Sequence, residues 1–234
     1  MHEFFKEYYS VISHSIEFLA ALTGVLYYKK FKFTVAKYLI FFLIYAFLVD
    51  LIGSYPEYLY NLDLYYLIEG TLIEINYWWF TIFWFFGIVT FISFINYNIL
   101  KKNIYKKTVK YVFYIYTSLF LIYCIVNFEK VFLMLDPFLM TLSLWAIFVC
   151  VCVYLVEILQ STKIIYFYKS IYFYINAAFL FWILLLGPMV FYEIYFSTAD
   201  WSYIILKYQI YLGVNVLFYL TLTIAIICCE PETI

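Results

Sequence analysis

Two ionisable residues stand in the middle of the first apolar run of the chain: Glu17, and three residues before it His14. A spacing of three places both on one face of a helix. A carboxyl facing lipid costs several kcal/mol, so such a residue marks a functional position unless a neighbour accounts for it. A carboxyl beside an imidazole can relay protons, hold a cationic ligand or sense pH. The alternative is that Glu17 stays uncharged, or pairs with a polar group on another helix, and only fixes helix packing. Asp50 closes a second apolar run and is within snorkelling reach of the interface. Asn176 and Asn215 sit in two later apolar runs. Buried asparagines bridge helices; if both face Glu17, they make a polar pocket with it. His14, Glu17, Asp50, Asn176 and Asn215 are therefore the candidate ligand-binding or proton-sensing residues.

A second group lies in the segment 55–69, where Tyr and Leu interleave with Glu57, Asp63 and Glu69 before Tyr77, Trp78 and Trp79. This reads either as an acidic, aromatic vestibule that captures a cation or amphiphile, or as an interfacial segment of the aromatic belt with its acids solvated. Trp84, deeper in the same run, reads as helix packing, and Glu157 needs no special role.

Other chemistries lack their residues. The chain has two His and five Cys without a C-x-x-C, so zinc and haem-attachment spacings are missing and no metal or cofactor is expected. Its cysteines read as small hydrophobes. Phosphate-cradling glycines, a G-x-S-x-G elbow and a histidine box are missing as well. A retinal lysine would stand in the middle of the last apolar run, whereas Lys207 stands near its outer end. With six Gly, four Pro and no repeat, matched broken helices of a transporter are not visible. A net charge of −1 with no Arg offers nothing to nucleic acid.

These residues need a scaffold, and composition names it. Of 234 residues, 68% are hydrophobic and 12% charged, against about half and about a quarter in a soluble domain. Mean hydropathy is +0.95. All fourteen basic residues are Lys, which with 29 Tyr and 27 Phe suggests an AT-rich genome. Runs of 18 or more apolar residues recur, so the bilayer is the solvent. The expected fold is all-α: one polytopic domain, 1–234, with seven transmembrane helices at about 8–28, 35–53, 72–95, 109–128, 137–159, 170–192 and 201–227. Each suits a hydrocarbon core of about 30 Å.

Start signals support three of them. Thr71-Leu-Ile-Glu74 and Ser197-Thr-Ala-Asp200 have the form of capping boxes. Asp136 precedes Pro137, an N-cap before a proline at the first helical position. Pro188 beside Gly187 should kink the sixth span, and the turns before that span, with Lys169, should run along the inner interface. Glu3 and Glu7 against Lys6 do not make a basic n-region, so the first apolar run is expected to remain as a membrane helix.

Lysine placement orients the bundle. Lys29, Lys30, Lys32, Lys37, Lys101, Lys102, Lys106, Lys107, Lys110, Lys163 and Lys169 fall on one side, and only Lys6, Lys130 and Lys207 on the other. By the positive-inside rule the lysine-rich side is cytoplasmic. The N-terminus is then outside and the C-terminus inside, with Glu57, Asp63, Glu69, Glu129, Asp136, Glu193 and Asp200 in outer segments.

The run Ile16-Glu17-Phe-Leu-Ala-Ala-Leu-Thr-Gly24 followed by Tyr27-Tyr-Lys-Lys30 resembles the opening of uncharacterised seven-helix integral membrane proteins of flavobacteria-like bacteria. Asn76-Tyr-Trp-Trp-Phe80 and Phe196-Ser-Thr-Ala-Asp-Trp201 are similar to their outer-side motifs. Such proteins resemble the membrane input regions that elsewhere precede histidine kinases, which implies a sensory part and no established site residues. The expected function is that of a non-enzymatic, receptor-like or accessory subunit of a bacterial inner membrane. It would signal through a membrane or cytoplasmic partner protein at the lysine-rich inner loops. The alternatives are a small-molecule or ion permease with Glu17 and Asp50 on its pathway, and a membrane enzyme acting on a lipid or isoprenoid through carboxylates alone.

Overall fold

Within hydrocarbon the backbone must satisfy its own N–H and C=O groups, so apolar runs of this length become helices. The computed structural model describes residues 2–195 and 201–232, and the side chains of 8–161, 164–190 and 205–232. Among these residues there is no strand. The helices are α1 (His2–Phe31), α2 (Lys37–Gly53), α3 (Tyr55–Asn61), α4 (Tyr77–Ile99), α5 (Asn103–Val126), α6 (Phe128–Leu133), α7 (Pro137–Leu159), α8 (Ile171–Tyr195) and α9 (Trp201–Cys228).

Six of them, α1, α4, α5, α7, α8 and α9, are long and apolar enough to cross a membrane. The protein is thus an all-helical, multi-pass membrane protein. A seventh crossing is reached only if α2 is counted with α3, from which it is bent by 42°. The 17 residues of α2 alone rise about 26 Å, the short end of what spans a bilayer. The helices close into a ring in which α9 packs on α1, α1 on α2, α2 on α4, α4 on α5 and α7, α7 on α8, and α8 on α9. The peripheral member is α5, which buries only Val109, Tyr116 and Phe120.

Helix ends are satisfied by neighbouring elements. The Asp136 carboxylate accepts from the backbone N–H groups of Phe138 and Leu139 and starts α7 in the way its sequence predicts. Glu157, at the far end of α7, accepts from the N–H groups of Lys101 (2.7 Å) and Lys102 (2.9 Å) and so holds the start of α5. That is a role the sequence did not suggest. Lys30 donates to the carbonyls of Ile226 and Ile227, clamping the end of α1 to the end of α9. Side chains from α4 cover the last turns of α2: Trp79 Nε1 donates to the Val49 carbonyl (2.8 Å) and Asn76 Nδ2 to that of Gly53 (2.7 Å). Gly53 has no Cβ to collide with the rings of Trp79 and Phe80.

Two expectations need correction. The third span starts at Tyr77 rather than near 72, because Thr71-Leu-Ile-Glu74 does not cap a helix. The Thr71 hydroxyl donates back to the Ile68 carbonyl, and Glu74 accepts from the Gly70 N–H and the Tyr65 hydroxyl, so the motif closes a loop. The bond to Glu74 holds the Tyr65 hydroxyl above the ordinary phenol range. The fourth span runs earlier than 109–128, as Asn103–Val126, since the Glu157 contact starts its helix sooner. The turns before α8 form a separate 3-10 element, Thr162–Lys169, set off by extended backbone at Ser170. Pro188 lies inside α8, and the helix runs on to Tyr195. The Ser197-Thr-Ala-Asp200 box lies outside the described residues.

Inside α4, residues Phe80–Phe85 form a π-helical stretch. A π turn leaves one carbonyl without its usual partner, and the Tyr45 hydroxyl donates to the carbonyl of Phe83. The Tyr45 ring reaches it by lying on Gly87, where any Cβ would run into the ring. Gly87→Ala should therefore destabilise the protein by about 1–3 kcal/mol through overpacking. Gly213→Ala, where nothing lies within 4 Å of the added carbon, should cost nothing. Thermal unfolding of the two variants in nanodiscs checks this, and equal melting temperatures would contradict the role given to Gly87.

Candidate functional site

The site begins with the α1–α2 hairpin. A short connection between antiparallel helices fixes which residues share a depth, and the rungs are visible. Gly24 lies against Ile40, the rings of Phe18 and Phe47 are 5.5 Å apart, and His14 meets Asp50. His14 Nε2 is 3.1 Å from Asp50 Oδ2 and 3.3 Å from Ser54 Oγ, while its Nδ1 is 3.3 Å from Ser10 Oγ. Both ring nitrogens are engaged, so the imidazole is fixed in orientation and available as a charge-assisted partner of Asp50.

Glu17 lies deeper on α1 and is 4% exposed. Asp50 and the Tyr219 hydroxyl of α9 are the groups that act on it. Its Oε2, the Ser13 hydroxyl and the Tyr219 hydroxyl are all buried without a hydrogen-bond partner. They are three of eight buried side-chain polar atoms without a partner among the described residues.

Ser13 and Glu17 border a cavity of about 290 Å³. Its polar lining is Ser13, Glu17, Asp50, Lys207 and Asn215, and its aromatic lining includes Tyr9, Phe80, Trp84, Phe85, Trp182 and Tyr211. The π stretch has a direct part in this. Widening the turn of α4 brings Phe80, Trp84 and Phe85 to one wall, where a regular α-helix would rotate one of them away. Every lining helix contributes from its end remote from the lysine-rich loops. A second cavity, about 340 Å³, lies at the lysine-rich end between Lys101, Glu157 and Lys169, and the two share no lining residue.

Of the residues singled out by sequence, His14, Glu17, Asp50 and Asn215 are brought together. Asn215 accepts from Trp182 Nε1 at 3.3 Å. Asn176 is not with them. It is fully buried toward the other end of α8, accepts from Asn96 Nδ2 at 2.9 Å, and donates to the Tyr172 carbonyl. Asn96 also reaches the Cys150 carbonyl, so this pair ties α4, α7 and α8 together and does not join the cavity.

The outer vestibule is not assembled as expected. Glu57, Asp63 and Glu69 are exposed and outside the cavity lining. The indoles of Trp78 and Trp79 are committed to the fold: Trp78 Nε1 donates to the Tyr55 hydroxyl and its ring stacks on Phe132, while Trp79 holds α2. Sequence reading missed Ser13, Trp182, Lys207 and Tyr219 as site residues and gave Trp84 only a packing role. The available signal was Lys207, one of three lysines on the lysine-poor side. Among the described residues no group of three or more His, Cys, Asp or Glu side chains could hold a metal ion.

Chemically, the arrangement is a fixed imidazole–carboxylate pair beside a second carboxyl that ends in an aromatic chamber. It can hold a proton or a cation. No protein-family model, curated protein or solved structure matches this chain.

The pairing of His14 with Asp50 has a measurable signature. His14→Gln and Asp50→Asn should each destabilise by about 1–3 kcal/mol, since each leaves a buried charged or polar partner unbonded. The double variant should lose little more than one of them. Melting temperatures of the four proteins in nanodiscs decide this, and strictly additive losses would contradict the pairing.

Proposed function

We infer that this chain is a receptor-like, seven-helix protein of a bacterial inner membrane. In this reading it takes a small ligand into the cavity around Glu17 and passes the occupied state to a partner protein at its lysine-rich face. The observation that carries the reading is Glu17 itself: a carboxyl with an unbonded oxygen, buried, at the wall of a chamber large enough for an organic molecule. A carboxyl serving only to pack helices would have found a partner.

With α2 counted beside the six longer helices, the positive-inside rule supports an outer position for the lysine-poor ends and the cavity. Passage through the bundle is the less supported alternative. Toward the lysine-rich end from the cavity the interior is filled by Phe42, Phe179 and Phe218 and by the Asn96–Asn176 pair. Coupling to the inner face has a route. Glu17 and Asn215 lie on α1 and α9, and the same two helices are joined at their inner ends by Lys30. A ligand that shifts one against the other acts directly on that joint, which borders Lys29 and Lys32.

Orientation is tested with single cysteines in a cysteine-free background. A membrane-impermeant maleimide should label Asp63→Cys in intact cells and Lys107→Cys only after lysis. Labelling of both in intact cells overturns the seven-span arrangement. Signalling is tested by a photocrosslinker at position 107 in native membranes. It should give one adduct with a second polypeptide, in a yield altered by filling the cavity with Met140→Trp. Self-adducts alone, or a yield insensitive to the filled cavity, count against the partner.

A further inference from the structure

The halves of α4 and α5 nearest the lysine-rich loops part to leave a groove of about 290 Å³, remote from the cavity around Glu17. Ser93 and Val109 are buried at its floor, and Phe94, Tyr97 and Tyr114 are exposed along its sides. The two hydroxyls of its aliphatic lining are engaged by the fold: Thr90 donates to the Phe86 carbonyl (2.8 Å), and Ser93 shares a hydrogen bond with the Cys150 sulfur. The body of the groove is thus apolar. Beyond it the rings of Phe86 and Tyr116 stack, 6.1 Å apart, and close the two helices together. From Tyr97 to Thr90 the groove runs two helical turns, about 10 Å, which is within one leaflet of hydrocarbon.

Its mouth is basic. Lys110 lines it, and Lys106, four residues earlier and so on the same helix face, holds its ammonium 5.9 Å from the centroid of the Tyr97 ring. Lys37 of α2 stands beside them: its ammonium is 5.1 Å from the Tyr38 ring, which packs edge-on against Phe94 at 4.7 Å. Among the described residues none of these three lysines pairs with a carboxylate. Neither α4 nor α5 can supply one, since no Asp or Glu occurs between Glu74 and Glu129. Glu157, the acid at the start of α5, is taken by the N–H groups of Lys101 and Lys102. A basic mouth over an apolar slot between membrane helices suits an anionic lipid, the headgroup in charge and the chain in shape. Size agrees. A cavity of about 150 Å³ holds a benzene ring, so the groove takes a chain segment of roughly a dozen carbons. A helix about 10 Å across would rest on its rim and cover the lysines unpaired.

We propose that the α4–α5 groove is a binding site for one anionic phospholipid, its phosphate between Lys106 and Lys110 and one acyl chain along Ser93, Val109 and Phe113. The lipid completes the packing of α5, the helix that buries the fewest of its own side chains against the bundle. The site is separate from the cavity around Glu17 and does not depend on what that cavity holds.

The test is native mass spectrometry of the full chain in detergent micelles holding equal amounts of dioleoylphosphatidylglycerol and dioleoylphosphatidylcholine, which differ only in headgroup. The first should be retained as a single lipid per chain, at least about tenfold more than the second. Each lysine should carry about fivefold of that preference. Lys106→Gln combined with Lys110→Gln should therefore abolish it, whereas Lys29→Gln combined with Lys32→Gln, at the same end of the bundle, should leave it unchanged. A phosphatidylglycerol with a diazirine in mid-chain, photolysed on the unaltered protein, should mark peptides 90–97 and 109–114. Equal retention of the two lipids, a preference lowered as much by the Lys29 and Lys32 changes, or labelling spread over all helices overturns the proposal. A dimer that forms in place of lipid retention overturns it too and gives the groove to a second copy of the chain.

Discussion

A solvent that cannot hydrogen-bond makes every polar atom inside it a problem the protein must solve with its own groups. Much of this structure is the solution. The backbone is helical, and the helix ends are covered by side chains of other helices: Trp79 and Asn76 on α2, Lys30 on α9, Glu157 ahead of α5. Several buried side-chain amides and hydroxyls find partners of the same kind. Asn96 and Asn176 bond to each other, and Tyr116 to Ser143. Among the exceptions are the unbonded atoms of Ser13 and Glu17, which line one cavity. A buried carboxyl with an unbonded oxygen at the wall of a cavity makes that cavity the place to look for function.

The same constraint shapes the chamber. The π stretch in α4 turns three aromatic side chains to one wall and frees a carbonyl, and Tyr45 takes that carbonyl. Tyr45 can do so because Gly87 lets its ring approach the helix backbone. A hydroxyl, a missing Cβ and a widened helical turn thus form one device that keeps Phe80, Trp84 and Phe85 at the cavity. At the other end of the bundle Lys30 joins the ends of α1 and α9.

Reading His14 and Glu17 as one face of a helix was correct and incomplete. Asp50 completes it, and the antiparallel α1–α2 hairpin brings it level with His14 in the ladder that Gly24–Ile40 and Phe18–Phe47 mark. That rung could have been counted from the short 32–36 connection. Asn176 and Asn215 could not be separated in this way. Both are asparagines in apolar helices, and which one reaches the cavity depends on how α8 and α9 rotate against α4 and α1. The Thr71-Leu-Ile-Glu74 motif misled for a related reason: its hydrogen-bonding groups were suited to cap a helix, and nearer partners at Ile68, Gly70 and Tyr65 took them.

By itself, then, the chain's residue order determined what acts over a few residues or over the thickness of a bilayer. It set the all-helical, multi-pass architecture, the Asp136 start of α7, the segregation of lysines and the shared face of His14 and Glu17, because hydropathy, capping and periodicity are local. Tertiary structure alone decided which polar groups found partners. It sent Asn176 to Asn96, Trp78 and Trp79 into the scaffold, Glu157 to α5, and left Glu17 unbonded beside Trp84, Trp182 and Asn215. Those outcomes depend on the rotation and depth of helices far apart in the chain, and apolar helix surfaces carry almost no one-dimensional mark of either.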